Sequence, residues 1–396
     1  MADFNDMFDL LNRLQSAHIS VYQHRCVNVR NRHAGCRRCA QACTAGCIQL
    51  TDEGVTVEPS RCVGCGTCAT VCPTQAIETH NPSDAKLFTS CVEAMERAQG
   101  RAVVACQRIA QAAASQLDAQ TLATVTCLGR VDASIVVLLA CVGAERVTLV
   151  HGQCAECPLS PGCRTAAAVA ADARTVLDAW GCDMPVKLTG KFPSVCRLQA
   201  DAGYDASKRA AFTGAGRSAK TAASISAGYA ADQIVDDGGV QQVRYVHVMK
   251  DKTLPHFVPA RRKRLVEGLN ALGMPEDELV ETGLWGHVII DPEKCSSCRM
   301  CATFCPTGAI RKYDEADGSF GVEHHPQLCV QCRCCEDICH DGALTLSTAV
   351  FARDVAEDAC ERYPMKPLRY EPGNLRKIHE RVRDLAGLTA EEVYDH

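Results

Sequence analysis

The chain has 396 residues, enough for about two to four domains, and 28 of them are cysteine. A formal charge of −5 singles out no partner, and with 5% aromatic residues the core must come from Ala, Val, Leu and whatever the cysteines bind. Disulfide-dense chains are small and secreted. This chain is large, and its start, "MADFNDMFDLLNRLQSAHI", is an amphipathic helix pattern without an apolar signal region. The longest apolar run, "ASIVVLLACVGA", is too short for a membrane span and suits a buried element. The expectation is a soluble, cytoplasmic protein whose thiols are mostly metal ligands.

The cysteines fall into groups. In the first, "CVGCGTCATVCPTQAI" sets Cys62, Cys65, Cys68 and Cys72 at the spacing C-x2-C-x2-C-x3-C-P. A tight loop at this spacing lets three thiolates reach three irons of one cubane, while the fourth faces a second cluster. Just upstream, "CRRCAQACTAGCI" aligns Cys36 with Cys65, Cys39 with Cys68 and Cys43 with Cys72. The counterpart of Cys62 is then His33. Cys26 is the available replacement, by way of the nine-residue excursion "VNVRNRHAG", whose closure costs little extra entropy. One site is thus expected from Cys26, Cys36, Cys39 and Cys72, and the other from Cys43, Cys62, Cys65 and Cys68. Three alternatives stay open: His33 as a nitrogen ligand, Cys47 in a shifted register, and a three-iron or absent cluster.

Residues 102 to 190 have a different rhythm. "RAVVAC", "TLATVTC" and "ERVTLVHGQC" are apolar runs, each followed by an Ala-rich helical stretch. That predicts a β-α-β-α-β unit with a parallel sheet. The runs end at or near Cys106, Cys127 and Cys154, where sites form in such sheets. "CAECPLSPGC" adds Cys157 and Cys163. The candidate ligands are Cys106, Cys127, Cys154 and Cys157, with Cys163 as the substitute. Cys141 reads as core.

From 201 the chain reads as a small, polar linker containing a basic helix, broken by Pro255 and Pro259 before it and ended by Gly273. The run Arg261 to Arg264 is expected on a solvated helix face, with an acidic docking partner as the sharper reading. Nucleic acid is not expected, because no aromatics interleave. A second full repeat follows. "CSSCRMCATFCPTGAI" and "CVQCRCCEDICHDGAL" set Cys295, Cys298, Cys301 and Cys305, then Cys329, Cys332, Cys335 and Cys339, at the same spacing. Exchange of the fourth cysteines pairs Cys339 with the first three and Cys305 with the second. Cys334 is a spectator. The tail after residue 350 reads as helical.

The segment around Cys295 to Cys339 resembles the two-cluster bacterial ferredoxins. The run "CLGRVDASIVVLLACVGAERVTLVHGQCAEC" resembles the small iron–sulfur (delta) subunit of methyl-viologen-reducing hydrogenases, through Cys127, Gly129, Arg130 and Asp132. Its later loop, C-x2-C-P-x4-C, departs from that family. The resemblance implies a [2Fe–2S] cluster and electron passage between a hydrogenase and a flavin-containing partner.

The fold class expected is mixed α+β and α/β. The domains are a dicluster ferredoxin-like domain (1–84), a delta-subunit-like α/β domain (85–200), a linker with a basic helix (201–283), a second dicluster domain (284–349) and a helical tail (350–396). The cofactors expected are four [4Fe–4S] clusters and one further [2Fe–2S] or [4Fe–4S] cluster in the middle. No dinucleotide fingerprint, phosphate loop or hydrolytic triad is present. The function expected is an electron-transfer subunit of a hydrogenase, formate dehydrogenase or flavoprotein reductase complex of anaerobic metabolism, in a hetero-oligomer without a membrane span. The rival readings are an accessory protein for molybdoenzyme maturation and a self-contained reductase.

Overall fold

The computed structural model describes residues 18–51, 54–80, 82–198, 248–249, 252–276 and 278–367. The expected N-terminal amphipathic helix, most of the linker and the end of the tail fall outside these residues.

The N-terminal unit is two short antiparallel pairs with helices between them. Strand β1 (Ile19–Val21) pairs with β4 (Ile77–Thr79), and β2 (Ile48–Thr51) pairs with β3 (Gly54–Val57). In the second pair Ile48 lies opposite Val57 and Leu50 opposite Val55, so alternate apolar residues turn to one face. The helices are α1 (Val27–Arg30), α2 (Arg38–Ala42) and α3 (Thr67–Val71). Each is too short to stand alone; they are turns that present cysteines.

The central unit opens with α4 (Asp84–Arg97), whose N-cap Ser83 accepts from the Lys86 N–H at 3.3 Å. Then come β5 (Arg101–Cys106), α5 (Gln107–Ala112), β6 (Ala123–Val125), α6 (Ala133–Cys141), β7 (Arg146–Val150), α7 (Pro161–Ala179) and β8 (Val186–Thr189). The four strands form a parallel sheet in the order β6-β5-β7-β8. Helix α6 is the long apolar run of the sequence, and all of its residues up to Leu139 are buried. Ala166, Ala170 and Ala173 repeat along α7 at helical spacing with no exposure, which lets that helix approach the core closely.

Helix α8 (Ala260–Leu272) differs from its expected solvated setting. Arg262 and Arg264 are each 6% exposed. Arg261 donates to the backbone carbonyls of Thr70 (3.0 Å) and Cys72 (2.8 Å). Arg262 donates to the carbonyls of Leu284 and of Cys329 (2.9 Å). Arg264 reaches the Asp84 carboxylate at 2.5 Å. One basic helix therefore holds all three units together. Arg261, Arg262 and Arg264 face internal acceptors, because three packed units each turn carbonyls or a carboxylate toward them.

The C-terminal unit contains β9 (Leu279–Glu281), β10 (His287–Ile290), α9 (Met300–Phe304), β11 (Ile310–Asp314), β12 (Phe320–His324), α10 (Cys334–Ile338), β13 (Leu344–Ser347), β14 (Ala349–Phe351), α11 (Ala352–Ala356) and β15 (Glu361–Pro364). Strand β10 pairs with β13, β9 with β14, and β15 joins β12 and β11 in a three-stranded sheet. The expected boundaries at 284 and 349 thus cut across the β9–β14 pair. The start of the expected helical tail holds strand on either side of the short α11: Val350 in β14 pairs with β9 and packs in the central core, and Tyr363 in β15 packs on the C-terminal unit.

Candidate metal centres

The local backbone explains how three of the four cysteine loops work. Cys65, Cys298 and Cys332 are each flanked by two residues of positive φ: Gly64 (65°) and Gly66 (73°), Ser297 (61°) and Arg299 (53°), Gln331 (51°) and Arg333 (63°). Alternating left-handed residues curl the chain around a point, so that successive cysteines face inward. Four of these six residues are not glycine, and each carries a strain on the order of 1–3 kcal/mol that persists only where the surroundings impose it. The Cys36 loop lacks this device: Arg37 has φ −127°. The curl serves to deliver a cysteine three residues earlier, and that position here is His33, whose side chain lies at the surface.

Cys26 stands in its place. Its thiol is pushed up to about 12, by burial and then by the charge of Cys72 and Cys36. Burial and then Cys72, Cys26 and Cys36 push Cys39 up to about 12 as well. The structure therefore brings Cys26, Cys36, Cys39 and Cys72 together. The excursion between Cys26 and Cys36 is helix α1 and a turn, clipped back where Asn28 donates to the Cys36 carbonyl at 2.6 Å.

Cys43, Cys62 and Cys65 surround Cys68, whose thiol is raised far above its ordinary value by burial and then by these neighbours. Cys47 sits there too, its sulfur 3.3 Å from that of Cys43. Burial and then Cys43 and Cys62 push it up to about 12. The alignment puts Cys47 over Ala76, a non-ligand position; its place at this site keeps the shifted register, left open in the sequence, in play.

In the C-terminal unit Cys301 is raised by burial and then by Cys298, Cys295 and Cys339. Cys335 is raised by burial and then by Cys332, Cys329 and Cys305. The fourth cysteines are exchanged between the loops. Cys334 is fully buried and donates weakly to the Phe304 carbonyl at 3.6 Å; it lies close to the second set, where its charge acts on Cys332.

In the central unit Cys106 ends β5, and Cys127 and Cys154 follow β6 and β7. The strand order reverses direction between β5 and β7, which opens a crevice beyond their carboxyl ends. Burial, then Cys163, Cys127 and Cys157, push Cys154 up to about 12. Cys127 rises to about 11 through burial, with Cys65, Cys106 and Cys157 adding to it. Arg108 donates to the Cys157 sulfur at 3.2 Å, and so does the Leu159 N–H at 3.4 Å. All five central candidates converge here.

The rest of the "CLGRVD" turn has structural work. A Cβ on Gly129 would stand 2.5 Å from Thr67 Oγ1 and 2.8 Å from Gly162 Cα, so this turn presses α3 against the start of α7. Arg130 is buried on Asp84 at 2.5 Å. Asp132 caps α6, accepting from the Ser134 N–H at 2.9 Å.

The donor sets fit iron–sulfur chemistry. Sulfur ligands bind as thiolates, and these rings of buried thiols, held protonated by burial and by one another, would give up their protons when a cation binds. The 4Fe-4S binding domain family matches residues 55–78 and 288–311, one segment in each outer unit. The chain is also similar to one component of an ion-translocating oxidoreductase complex from Methanosarcina acetivorans, with 39% identity over 44 residues. That match spans 11% of this chain and 17% of the relative. No solved structure matches. The chain thus carries two segments of 4Fe-4S binding type, and among the described residues no helix is long and apolar enough to cross a membrane.

Proposed function

We propose that the chain is an electron-transfer subunit of an oxidoreductase complex that passes single electrons along a row of five cysteine sites. Four would hold [4Fe–4S] clusters, and the central site a further [2Fe–2S] or [4Fe–4S] cluster. A bound cluster takes up and releases one electron with little rearrangement, at a potential set by its surroundings.

The observation that carries the reading is the order of contacts. The Cys295/Cys298/Cys301/Cys339 set adjoins the Cys305/Cys329/Cys332/Cys335 set, with Cys301 acting on Cys335. Cys332 shares one apolar cluster with Cys36 of the N-terminal unit. Cys39 in turn acts on Cys68 within that unit. Cys65 acts on Cys127 of the central unit. The row has two ends, the loop around Cys295 and Cys339 and the central Cys154–Cys163 loop, and both carry exposed residues. A relay needs such ends for a donor and an acceptor. The resemblance of the Cys127–Asp132 turn to hydrogenase delta subunits favours a hydrogenase, formate dehydrogenase or flavoprotein at the central end.

The test is iron and acid-labile sulfide per chain in anaerobically purified protein, with EPR after reduction. About eighteen or twenty irons support five sites, about sixteen remove the central one, and about twelve mean that Cys26 does not complete its site.

A further inference from the structure

A separate donor cluster lies away from the cysteine row, on the sheet of the C-terminal unit. Glu323 and His325 are two residues apart at the end of β12 and so share one side of the strand. Strand β15 runs antiparallel beside it, with His324 opposite Glu361. Continued by one residue, this register sets Cys360 opposite His325. One donor atom from each of Glu323, His325 and Cys360 lies within 4.8 Å of the other two.

The histidine shows what is missing from ordinary packing. His325 is 9% exposed, and its Nε2 is buried without a hydrogen-bond partner. Its Nδ1 faces Asp358 Oδ1 at 3.3 Å. A proton on Nδ1 donated to Asp358 leaves a lone pair on Nε2. This is the carboxylate–histidine arrangement that orients imidazole for a metal. Nε2 stands 3.5 Å from Glu323 Oε1. That is long for a hydrogen bond, which runs about 2.7–3.2 Å. It is close to the roughly 3.4 Å that separates two ligands held at about 2.0–2.1 Å on one tetrahedral ion.

Charge points the same way. Glu323, Asp358 and a Cys360 thiolate are anionic, and Arg362, whose Nε lies 3.6 Å from Glu323 Oε2, pairs more closely with Glu315 at 2.8 Å. The surplus is negative, which a divalent cation would offset. Sulfur, imidazole and carboxylate donors together suit a borderline ion that favours four-coordination.

We infer that Glu323, His325 and Cys360 form a mononuclear zinc site, with a fourth position open to water. The ion ties β15 and the turn before it to the end of β12. His325 also begins the turn that leads to Cys329: its N–H donates to the Ala309 carbonyl at 2.7 Å, and its carbonyl accepts from Leu328 at 3.2 Å. The site therefore braces a cysteine loop without belonging to it.

The test supplies zinc to the anaerobic iron-loaded full-length protein, removes the excess by gel filtration, and measures zinc and iron together. About one zinc per chain is expected, with a zinc-edge X-ray absorption shell of one sulfur near about 2.3 Å and nitrogen or oxygen near about 2.0 Å. Cys360→Ser, at an exposed position, and Glu323→Gln should each weaken zinc retention at least about tenfold while iron and sulfide stay unchanged. His325→Ala should abolish retention. Failure to retain zinc, an all-sulfur shell from zinc filling a cluster site, or variants that keep zinc as the parent does would each overturn the assignment.

Discussion

At the scale of single residues, Cys26 and Arg30 belong to one device. The nine-residue excursion that displaces the first ligand is also what reaches the other unit. Arg30 leaves α1, is 2% exposed, and donates to the carbonyls of Pro255 (2.7 Å), Cys305 (3.3 Å) and Phe304 (3.5 Å). Val27, on the same turn, packs with Leu254, Met300, Phe304 and Cys334. A missing cysteine at position 33 is thus coupled to a gain in contact between the units. Cys26→Ala should lose one cluster or convert it to a three-iron form, read as an iron loss and a new oxidised-state EPR signal. Cys47→Ala should leave the iron count unchanged. The reverse pattern would mean that the register is shifted and Cys47 is the ligand. Arg30 also places a cation beside the Cys305/Cys329/Cys332/Cys335 set, and Arg262 a second. A cation favours the more reduced, more negative cluster. Arg30→Gln should therefore lower that cluster's potential by about 50 mV in an EPR-monitored titration, which corresponds to about 1 kcal/mol for one electron. Arg30→Lys should restore most of it. No shift in either variant would mean that solvent screens the charge.

At the scale of elements, helix α8 and the N-terminus of α4 form the junction. Burial alone would raise the Asp84 carboxyl, but Arg264 and Arg130 outweigh it and hold the group far below its usual range. Asp84→Asn removes the close anion of two buried guanidinium groups and leaves Arg264 with the Asp132 carboxylate at 3.9 Å, a loss of about 3–5 kcal/mol. The sign of the pH dependence follows from the lowered value. The contribution is fully present above the unfolded carboxylate range and is lost only as pH falls below about 5. Between about pH 5.5 and 8 the gap between parent and variant in denaturant unfolding should therefore be flat. A gap that changes in this window would identify a histidine, and not Asp84, as the titrating partner.

This junction also shows where the sequence was legible. The cysteine repeats can be read because ligand spacing is local, within a dozen residues, and the β-α-β rhythm because strand and helix periods are local too. Cys26 could be found by elimination. The basic helix could not be placed, since "RRKR" looks the same whether it meets water or carbonyls. Its acceptors at Cys72 and Cys329 lie 189 and 67 residues away. The same holds for Arg38, which donates to the Gln331 carbonyl across 293 positions. The Glu323–His325–Cys360 group was hidden for another reason: it depends on β15 pairing with β12, and the tail carries no strand alternation strong enough to announce it.

At the scale of the whole molecule, the N-terminal unit touches both of the others, which also touch each other: Trp180 stacks on Trp285, and the Gly283 N–H donates to Asp172 at 2.8 Å. Its α1 and α2 face the C-terminal unit, where Gly35 N–H also donates to Asp337 at 3.2 Å. Its α3 faces the central unit, where Thr70 donates to the Arg130 carbonyl at 3.1 Å. On the proposed reading, sequence order is not electron order: neighbouring thiols run from the C-terminal sites through the N-terminal ones to the central site. Neighbouring clusters that are both reduced are paramagnetic and broaden each other's EPR lines, so the order of the row can be read directly. Loss of the Cys26 site should narrow the signals on both sides of it, from the Cys305/Cys329/Cys332/Cys335 set and from the Cys43/Cys62/Cys65/Cys68 set. Cys106→Ala with Cys154→Ala should narrow only the latter, because Cys65 of that set lies beside the central Cys127. If the central variant instead sharpened the C-terminal signals, the central site would adjoin the other end and the order would be wrong. The zinc-site variants serve as the control, since Cys360→Ser removes a thiol from outside the row and should leave every line width as it was.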